Sequence, residues 1–278
     1  MLLTVAQIVG GVLSGSLALV ADALHNLNDA ASLGLALLAR RIARRPADKK
    51  RTFGYRKAEL IGALINLTTL IIVGLYLAYE AVARFFDPQP IAGWIVIILA
   101  GVALVIDIIT ALLTFAMSKE NLNIKAAFVH NLSDAFASVA VIVAGTLILL
   151  YEWYWADWVA TLIISGYILW HGAAMMRSTI RILMDSVPED IVLDELVAAM
   201  EAVEYVQEVH HIHVWQLDEH HRALEAHVVI GVNELAQIES IKEALKTVLR
   251  TQFDIGHSTL EFETHAAHQH DRNVVSPH

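Results

Sequence analysis

Two five-residue segments carry the residue types and the spacing that chemistry needs. His25-Asn26-Leu27-Asn28-Asp29 and His130-Asn131-Leu132-Ser133-Asp134 each set an imidazole four residues ahead of a carboxylate. On a helix, positions i and i+4 share one face. Two such helices packed together bring two imidazoles and two carboxylates to one point. Four nitrogen and oxygen ligands suit a tetrahedral divalent transition ion, above all Zn²⁺. Mg²⁺ would prefer oxygen ligands, near-octahedral geometry and retained waters. The small neighbours Ala30, Ala31, Ala135 and Ala137 let the helices approach closely. One such residue in an apolar helix reads equally well as a helix–helix hydrogen bond. Two matching pairs do not, because a carboxylate in mid-membrane costs about 2.5–3.5 kcal/mol on insertion scales. Metal binds the deprotonated carboxylate and the neutral imidazole, so protons and metal compete for the set. Exposed in turn to two sides, such a set exchanges metal for protons. No G-x-x-x-x-G-K-[ST] phosphate loop is present, so ATP is not required.

The elements that hold these motifs are greasy. The chain has 278 residues and is 56% hydrophobic but 17% charged, with a mean hydropathy of +0.55. That composition excludes an ordinary cytosolic enzyme and a disordered chain. Six spans are predicted: Leu2–Leu13, Leu17–Ala39, Ala58–Phe85, Ile91–Met117, Ile124–Leu150 and Trp158–Leu183. Met1 runs directly into Leu2 and Leu3 with no basic region, so no cleaved signal is expected. Nine of the 19 basic residues lie in one connection, Arg40 to Lys57, which predicts a cytoplasmic loop and cytoplasmic termini. The aromatic residues Tyr151, Trp153, Tyr154, Trp155 and Trp158 belong at the opposite interface.

Charge divides the chain. The net charge of −10 hides +3 up to Leu183 and −13 beyond it. Eleven of 14 histidines follow the cut, and there is no cysteine, hence no thiolate site. An acidic tail repels nucleic acid and attracts cations. Three regions are expected: a transport domain over 1–184, an α+β metal-binding and dimerisation domain over 185–264, and a histidine-containing tail over 265–278. In the middle region, helical spacing predicts a helix over Glu189–Tyr205. Strands follow at Val209–Leu217 and Leu224–Val232, then a helix at Leu235–Phe253 and a strand at Ser258–Glu263. Strict alternation puts Val209, His211, His213 and Trp215 on one side of the first strand.

The sequence resembles the cation diffusion facilitator family, in its bacterial zinc-efflux and zinc-transporter branch. The matching stretches are Ser14-Gly15-Ser16-Leu17-Ala18-Leu19, Ala21-Asp22-Ala23, the two His-x-x-x-Asp motifs, Thr52 to Glu59, Asn121-Leu122-Asn123, and Val209 to Trp215. The resemblance implies a homodimeric Zn²⁺/H⁺ antiporter with six transmembrane helices and a cytoplasmic metallochaperone-like α+β domain, and the simple short loops are those expected of a bacterial inner-membrane protein. It implies His25, Asp29, His130 and Asp134 as the transport site. It implies His210, His227, Glu263 and His265 as cytoplasmic zinc ligands. A His rather than an Asp at the first position resembles the zinc-preferring members. The family pattern carries about ten more residues before the first span, so the first helix is expected to be short or truncated. Some members bind a metal between the second and third spans. Here Arg51 and Tyr55 stand where histidines would be, and no metal is predicted in that loop. Its basic residues fit lipid headgroups or the acidic tail instead.

The remaining polar groups divide by position. Asp22 shares a face with His25 and Asp29, and Asp107 lies in the fourth span. Both are candidates for the ion or proton path. His171 reads as structural. His211 and His213 are weaker candidates for the tail site than His210. His220 and His221 belong to a solvated turn with Asp218 and Glu219, and His268 and His270 to loose metal capture. The alternatives are the same fold carrying Cd²⁺, Co²⁺, Ni²⁺, Fe²⁺ or Mn²⁺, a membrane zinc hydrolase, or a metal sensor. A hydrolase needs an open metal position and a separate base, and no H-E-x-x-H motif is present. The chain is therefore not expected to be an enzyme.

Overall fold

The computed structural model describes residues 2–117, 122–218, 220–264 and 274. Its helices are α1 (Leu2–Ser14), α2 (Leu17–Ala43), α3 (Ala58–Phe86), α4 (Gly93–Met117), α5 (Leu122–Tyr151) and α6 (Trp155–Leu183). After them come α7 (Leu193–Glu201), β1 (Val206–Gln216), β2 (Arg222–Ile230), a 3₁₀ turn (Val232–Gln237), α8 (Ile238–Phe253) and β3 (Ile255–Thr264). The chain splits into two compact units. One comprises Met1–Leu38 and Ala63–Met176, the other Ala39–Gly62 and Arg177–His278.

In the helical unit, α3, α4, α5 and α6 are long and apolar enough to cross a membrane. At 13 residues, α1 is too short by that measure. The 27 residues of α2 would reach across, but His25, Asn26, Asn28 and Asp29 interrupt its apolar run. The unit's core is built from small side chains, among them Ala18, Ala21, Ala100, Ala144 and Ala160, between Leu19, Leu77 and Ile168. Large apolar side chains such as Ile72, Leu112, Ile163 and Trp170 point outward. This is the packing of helices in hydrocarbon, where close backbone approach replaces a water-driven core. At Gly93 a Cβ would meet Gly145 O at 2.7 Å and Leu149 N at 3.2 Å, so α4 and α5 touch backbone to backbone there.

A buried carboxylate ties three helix ends together. Asp157, at the start of α6, accepts from Ser16 Oγ at 2.5 Å, Leu17 N at 2.8 Å and Ala18 N at 3.3 Å. It thereby satisfies two of the orphan N–H groups that open α2. Arg84, in the last turn of α3, donates to Gly15 O and lies 3.9 Å from Asp157. Gly15 has φ +75, the left-handed turn between α1 and α2.

In the second unit the sheet order is β1-β2-β3, with β1 and β2 antiparallel and β2 and β3 parallel. The α8 crossover makes the parallel pair possible. One sheet face packs Val209, Ile212, Val214, Leu224, Ala226 and Val228 against Leu196, Ile241, Leu245 and Leu249. The predicted α-β-β-α-β order is observed, with shifted limits. The first helix starts at Leu193 rather than Glu189, because Pro188–Ile191 forms a turn. Arg222 holds Asp190 of that turn through Nη2 at 2.7 and 3.0 Å, and donates from Nη1 to Phe253 O at 2.9 Å.

The Arg222 guanidinium keeps the Asp190 carboxyl below its ordinary value. A depressed carboxyl stabilises the fold above its unfolded-state pKa, and that contribution is lost as pH falls through the folded-state value. Acidification from neutrality to below about pH 4 should therefore lower the melting temperature of the wild type. Asp190→Asn should make that dependence shallower. Thermal scans of both proteins across this range check it, and equal slopes would contradict it.

The basic segment meets acidic residues within the same unit. Arg56 lies 3.3 Å from Asp218, and Lys57 lies 2.7 Å from Asp185. Asp48 accepts from Tyr55 Oη at 2.8 Å and from the backbone N–H groups of Lys50 and Arg51. Of the two roles expected for the basic loop, contact with the acidic tail segment is the one that these ion pairs display.

Candidate metal centre

The two His-x-x-x-Asp motifs lie on α2 and α5, and the fold brings all four side chains together. His25 Nε2 is 3.6 Å from Asp29 Oδ2 and 3.3 Å from Asp134 Oδ1. His130 Nε2 is 3.3 Å from Asp29 Oδ2 and 3.5 Å from Asp134 Oδ2. Each imidazole thus touches both carboxylates, one on its own helix and one across. Four imidazole–carboxylate contacts link the residues in a ring, with Asp29 using Oδ2 toward both imidazoles and Asp134 using Oδ1 toward His25 and Oδ2 toward His130. A tetrahedron with metal–ligand bonds of 2.0–2.1 Å has edges of about 3.3–3.4 Å. An octahedron with Mg²⁺ bond lengths has edges of about 2.9 Å. The observed contacts, 3.3–3.6 Å, are nearer the tetrahedral spacing. The rings of His25 and His130 lie 6.1 Å apart at 65°, so their nitrogens converge without stacking.

Burial points the same way. Asp134 is 8% and His25 9% exposed, whereas the His130 side chain is 48% exposed. Asp29 Oδ2 and Asp134 Oδ1 are buried and make no hydrogen bond among the described residues. Buried carboxylate oxygens without donors need a cation or a proton. His25, Asp29 and Asp134 each offer a ligand atom within 4.8 Å of the others.

The two pathway candidates, on α2 and α4, each have a polar partner among the described residues. Asp22 on α2 accepts from Gln7 Nε2 of α1 at 2.7 Å. Asp107 on α4 accepts from Ser138 Oγ of α5 at 3.0 Å. Asp22 is 1% exposed. Sequence reasoning missed Gln7 and Ser138. The signal for Gln7 was its place as the lone amide in a 13-residue apolar helix. His171 stacks on Tyr167 with ring centroids 5.9 Å apart.

The second cluster lies on the cytoplasmic-domain sheet. His227 Nδ1 is 2.6 Å from Glu263 Oε1, and His210 Nε2 is 3.7 Å from Glu263 Oε2. The His210 and His227 rings are 5.3 Å apart. These three residues offer ligand atoms within 4.8 Å of one another, a donor set suited to zinc. His265 lies outside the described residues, as do Glu219, His268 and His270.

Here the strand reading requires a correction. His210 pairs with His227 and His213 with Glu225, so β1 spends two residues opposite Ala226 alone. This is a β-bulge, with His211 at φ +49. Alternation breaks there: Val209, Ile212 and Val214 join the core, while His210 and His213 share the face of His227. The His211 ring follows, 4.8 Å from His227 and 4.9 Å from His213. The expectation that Val209, His211, His213 and Trp215 share one side does not hold. A period of two residues carries no mark of a bulge. In the turn, His221 Nδ1 lies 2.7 Å from Asp218 Oδ1.

Replacing both His227 and Glu263 by alanine should lower the zinc bound per chain by about one ion. It should leave binding at the His25–Asp134 set intact. Equilibrium dialysis on the intact chain measures this, and an unchanged count would contradict the cluster's role.

A unit of long apolar helices with a buried His/Asp cluster, followed by an α+β domain with a His/Glu cluster, has the features of a cation-handling membrane protein. The comparisons define it further. The cation efflux transmembrane domain model matches residues 1–184, and the cation efflux protein cytoplasmic domain model matches residues 188–265. The chain is 34% identical over 274 residues to the cadmium, cobalt and zinc/H(+)-K(+) antiporter of Bacillus subtilis (strain 168), covering 98% of this chain and 88% of that protein. It is 35% identical over 267 residues to the metal cation efflux system protein CzcD of Cupriavidus metallidurans, covering 96% and 84%. It is 35% identical over 262 residues to the zinc transporter ZitB of Pectobacterium atrosepticum, covering 93% and 81%. The chain belongs to the cation efflux family, the cation diffusion facilitators. It is a divalent metal efflux transporter and not an enzyme.

Proposed function

We propose that the chain exports Zn²⁺ from the cytoplasm in exchange for protons, by exposing the His25–Asp29–His130–Asp134 set to the two sides of the membrane in turn. One observation carries this reading: the ring of four imidazole–carboxylate contacts at 3.3–3.6 Å, which gathers two imidazoles and two carboxylates at tetrahedral-like spacings. The same atoms bind protons when metal leaves, which couples the two fluxes without ATP. Asp22 and Asp107 line the path beside the set. The basic residues between Arg40 and Lys57 support a cytoplasmic loop, and with it cytoplasmic termini in a bacterial inner membrane. The α+β domain holds a regulatory or dimer-stapling ion at His210, His227 and Glu263, with His265 as a further ligand. Two copies of the chain join through that domain.

A second reading has a specific support: relatives are named for cadmium and cobalt as well as zinc. Nitrogen and oxygen ligands alone do not separate first-row metals by affinity. Proteoliposomes with an imposed pH gradient test both points. Zn²⁺ should move opposite to the protons, and Cd²⁺ and Co²⁺ in excess should compete more weakly than unlabelled Zn²⁺. Zinc flux indifferent to the pH gradient would overturn the exchange mechanism. Stronger competition by Cd²⁺ or Co²⁺ would overturn the zinc preference.

A further inference from the structure

The helical unit buries an acid that the metal set does not use. Asp22 is 1% exposed and Gln7 is 0% exposed. Gln7 Nε2 donates to Asp22 Oδ2 at 2.7 Å. Gln7 Oε1, on the same amide carbon, is also buried and accepts no hydrogen bond among the described residues. An amide meeting a carboxyl group has one complete pairing. Its N–H donates to one carboxyl oxygen while the O–H of the other donates to the amide oxygen. An ionised carboxylate has no O–H to give, so the amide oxygen is left as a second acceptor beside an anion. That arrangement is costly away from water.

The charged surroundings do not offset the cost. The charged groups facing Asp22 include Asp107 from α4, Asp134 from α5 and His25 from its own helix, while α1 contributes the neutral Gln7. Two of these three groups are acids. Asp22 is three residues from His25, about one helical turn, and it lies outside the ring of four contacts.

We propose that Gln7 and Asp22 form a proton-binding site separate from the metal ligands. Without metal, Asp22 is a neutral acid whose O–H donates to Gln7 Oε1, closing an acid–amide ring with the N–H bond already present. When a divalent ion enters the four-residue set, its charge favours the carboxylate. The O–H bond then breaks, the electron pair stays on the Asp22 oxygen and the proton leaves to water. When the ion departs, the proton returns. This inference rests on the proton-exchange reading above and adds to it a proton that no metal ligand carries.

Asp22→Asn separates the two ideas. An asparagine amide pairs with Gln7 through the same two hydrogen bonds and cannot titrate. In weakly buffered solution, Zn²⁺ is added to the purified full-length chain, and the protons released per bound ion are counted with an indicator dye. Asp22→Asn should bind Zn²⁺ with unchanged stoichiometry and release about one proton fewer per ion. Asp22→Ala, which also cannot titrate, should show the same shortfall of about one proton per ion. It decides the matter if Asp22→Asn fails to fold. Release equal to wild type in the folded variant would overturn the site. Absence of release from the wild type would instead overturn the proton-exchange reading itself.

Discussion

Replacing Asp134 by alanine is expected to reduce zinc transport in proteoliposomes to background, a loss of more than about 100-fold. Loss of an outer-shell partner already costs a metal site 10–100-fold, and Asp134 is closer than that. Its Oδ1 reaches His25 at 3.3 Å and its Oδ2 reaches His130 at 3.5 Å, so it makes two of the four contacts. Without it both imidazoles face Asp29 alone, and the site carries one negative charge against a divalent ion. The fold should survive, because the change removes a buried anion from an apolar core and leaves a small residue beside Ala135. Flux measured together with size-exclusion elution checks both parts. Residual transport within tenfold of wild type, with the protein intact, would contradict the assignment.

The second large effect is on stability rather than transport. Asp157→Ala should destabilise the helical unit by about 3–5 kcal/mol, the cost of leaving a buried partner uncompensated. The change strands the Leu17 and Ala18 N–H groups and the Ser16 hydroxyl, and leaves the Arg84 guanidinium without its acid. Ser16→Ala removes one of these bonds and the cap that Ser16 Oγ gives Leu19 N, and should cost about 1–2 kcal/mol. Thermal unfolding in detergent ranks the two variants. A near-wild-type melting point for Asp157→Ala would show that water replaces the carboxylate at this end of α2.

Much of this was legible in the sequence, for identifiable reasons. The spacing of His25 with Asp29 and of His130 with Asp134 follows from helical period alone. So does the run of apolar segments, and the charge reversal after Leu183 marks where they end. The convergence of the four side chains is different in kind. It depends on how α2 meets α5, which no local pattern encodes. The same is true of Gln7 with Asp22, of Ser138 with Asp107, and of Asp157 with the start of α2 some 140 residues earlier. The late start of α7 also has a distant cause, since Arg222 captures Asp190 from 32 residues away. The bulge at His211 was hidden for a simpler reason: alternation assumes one residue opposite one. Breaking that rule is what gathers His210, His211 and His213 beside His227.

Zinc K-edge X-ray absorption on the full-length chain carrying His227→Ala and Glu263→Ala tests the central assignment most directly, because the cytoplasmic cluster is then silent. The account predicts four light ligands at about 2.0–2.1 Å, two of them with the multiple-scattering signature of imidazole, and loss of that spectrum on adding Asp134→Ala. A six-coordinate, oxygen-only shell, or a spectrum that Asp134→Ala leaves unchanged, would contradict it.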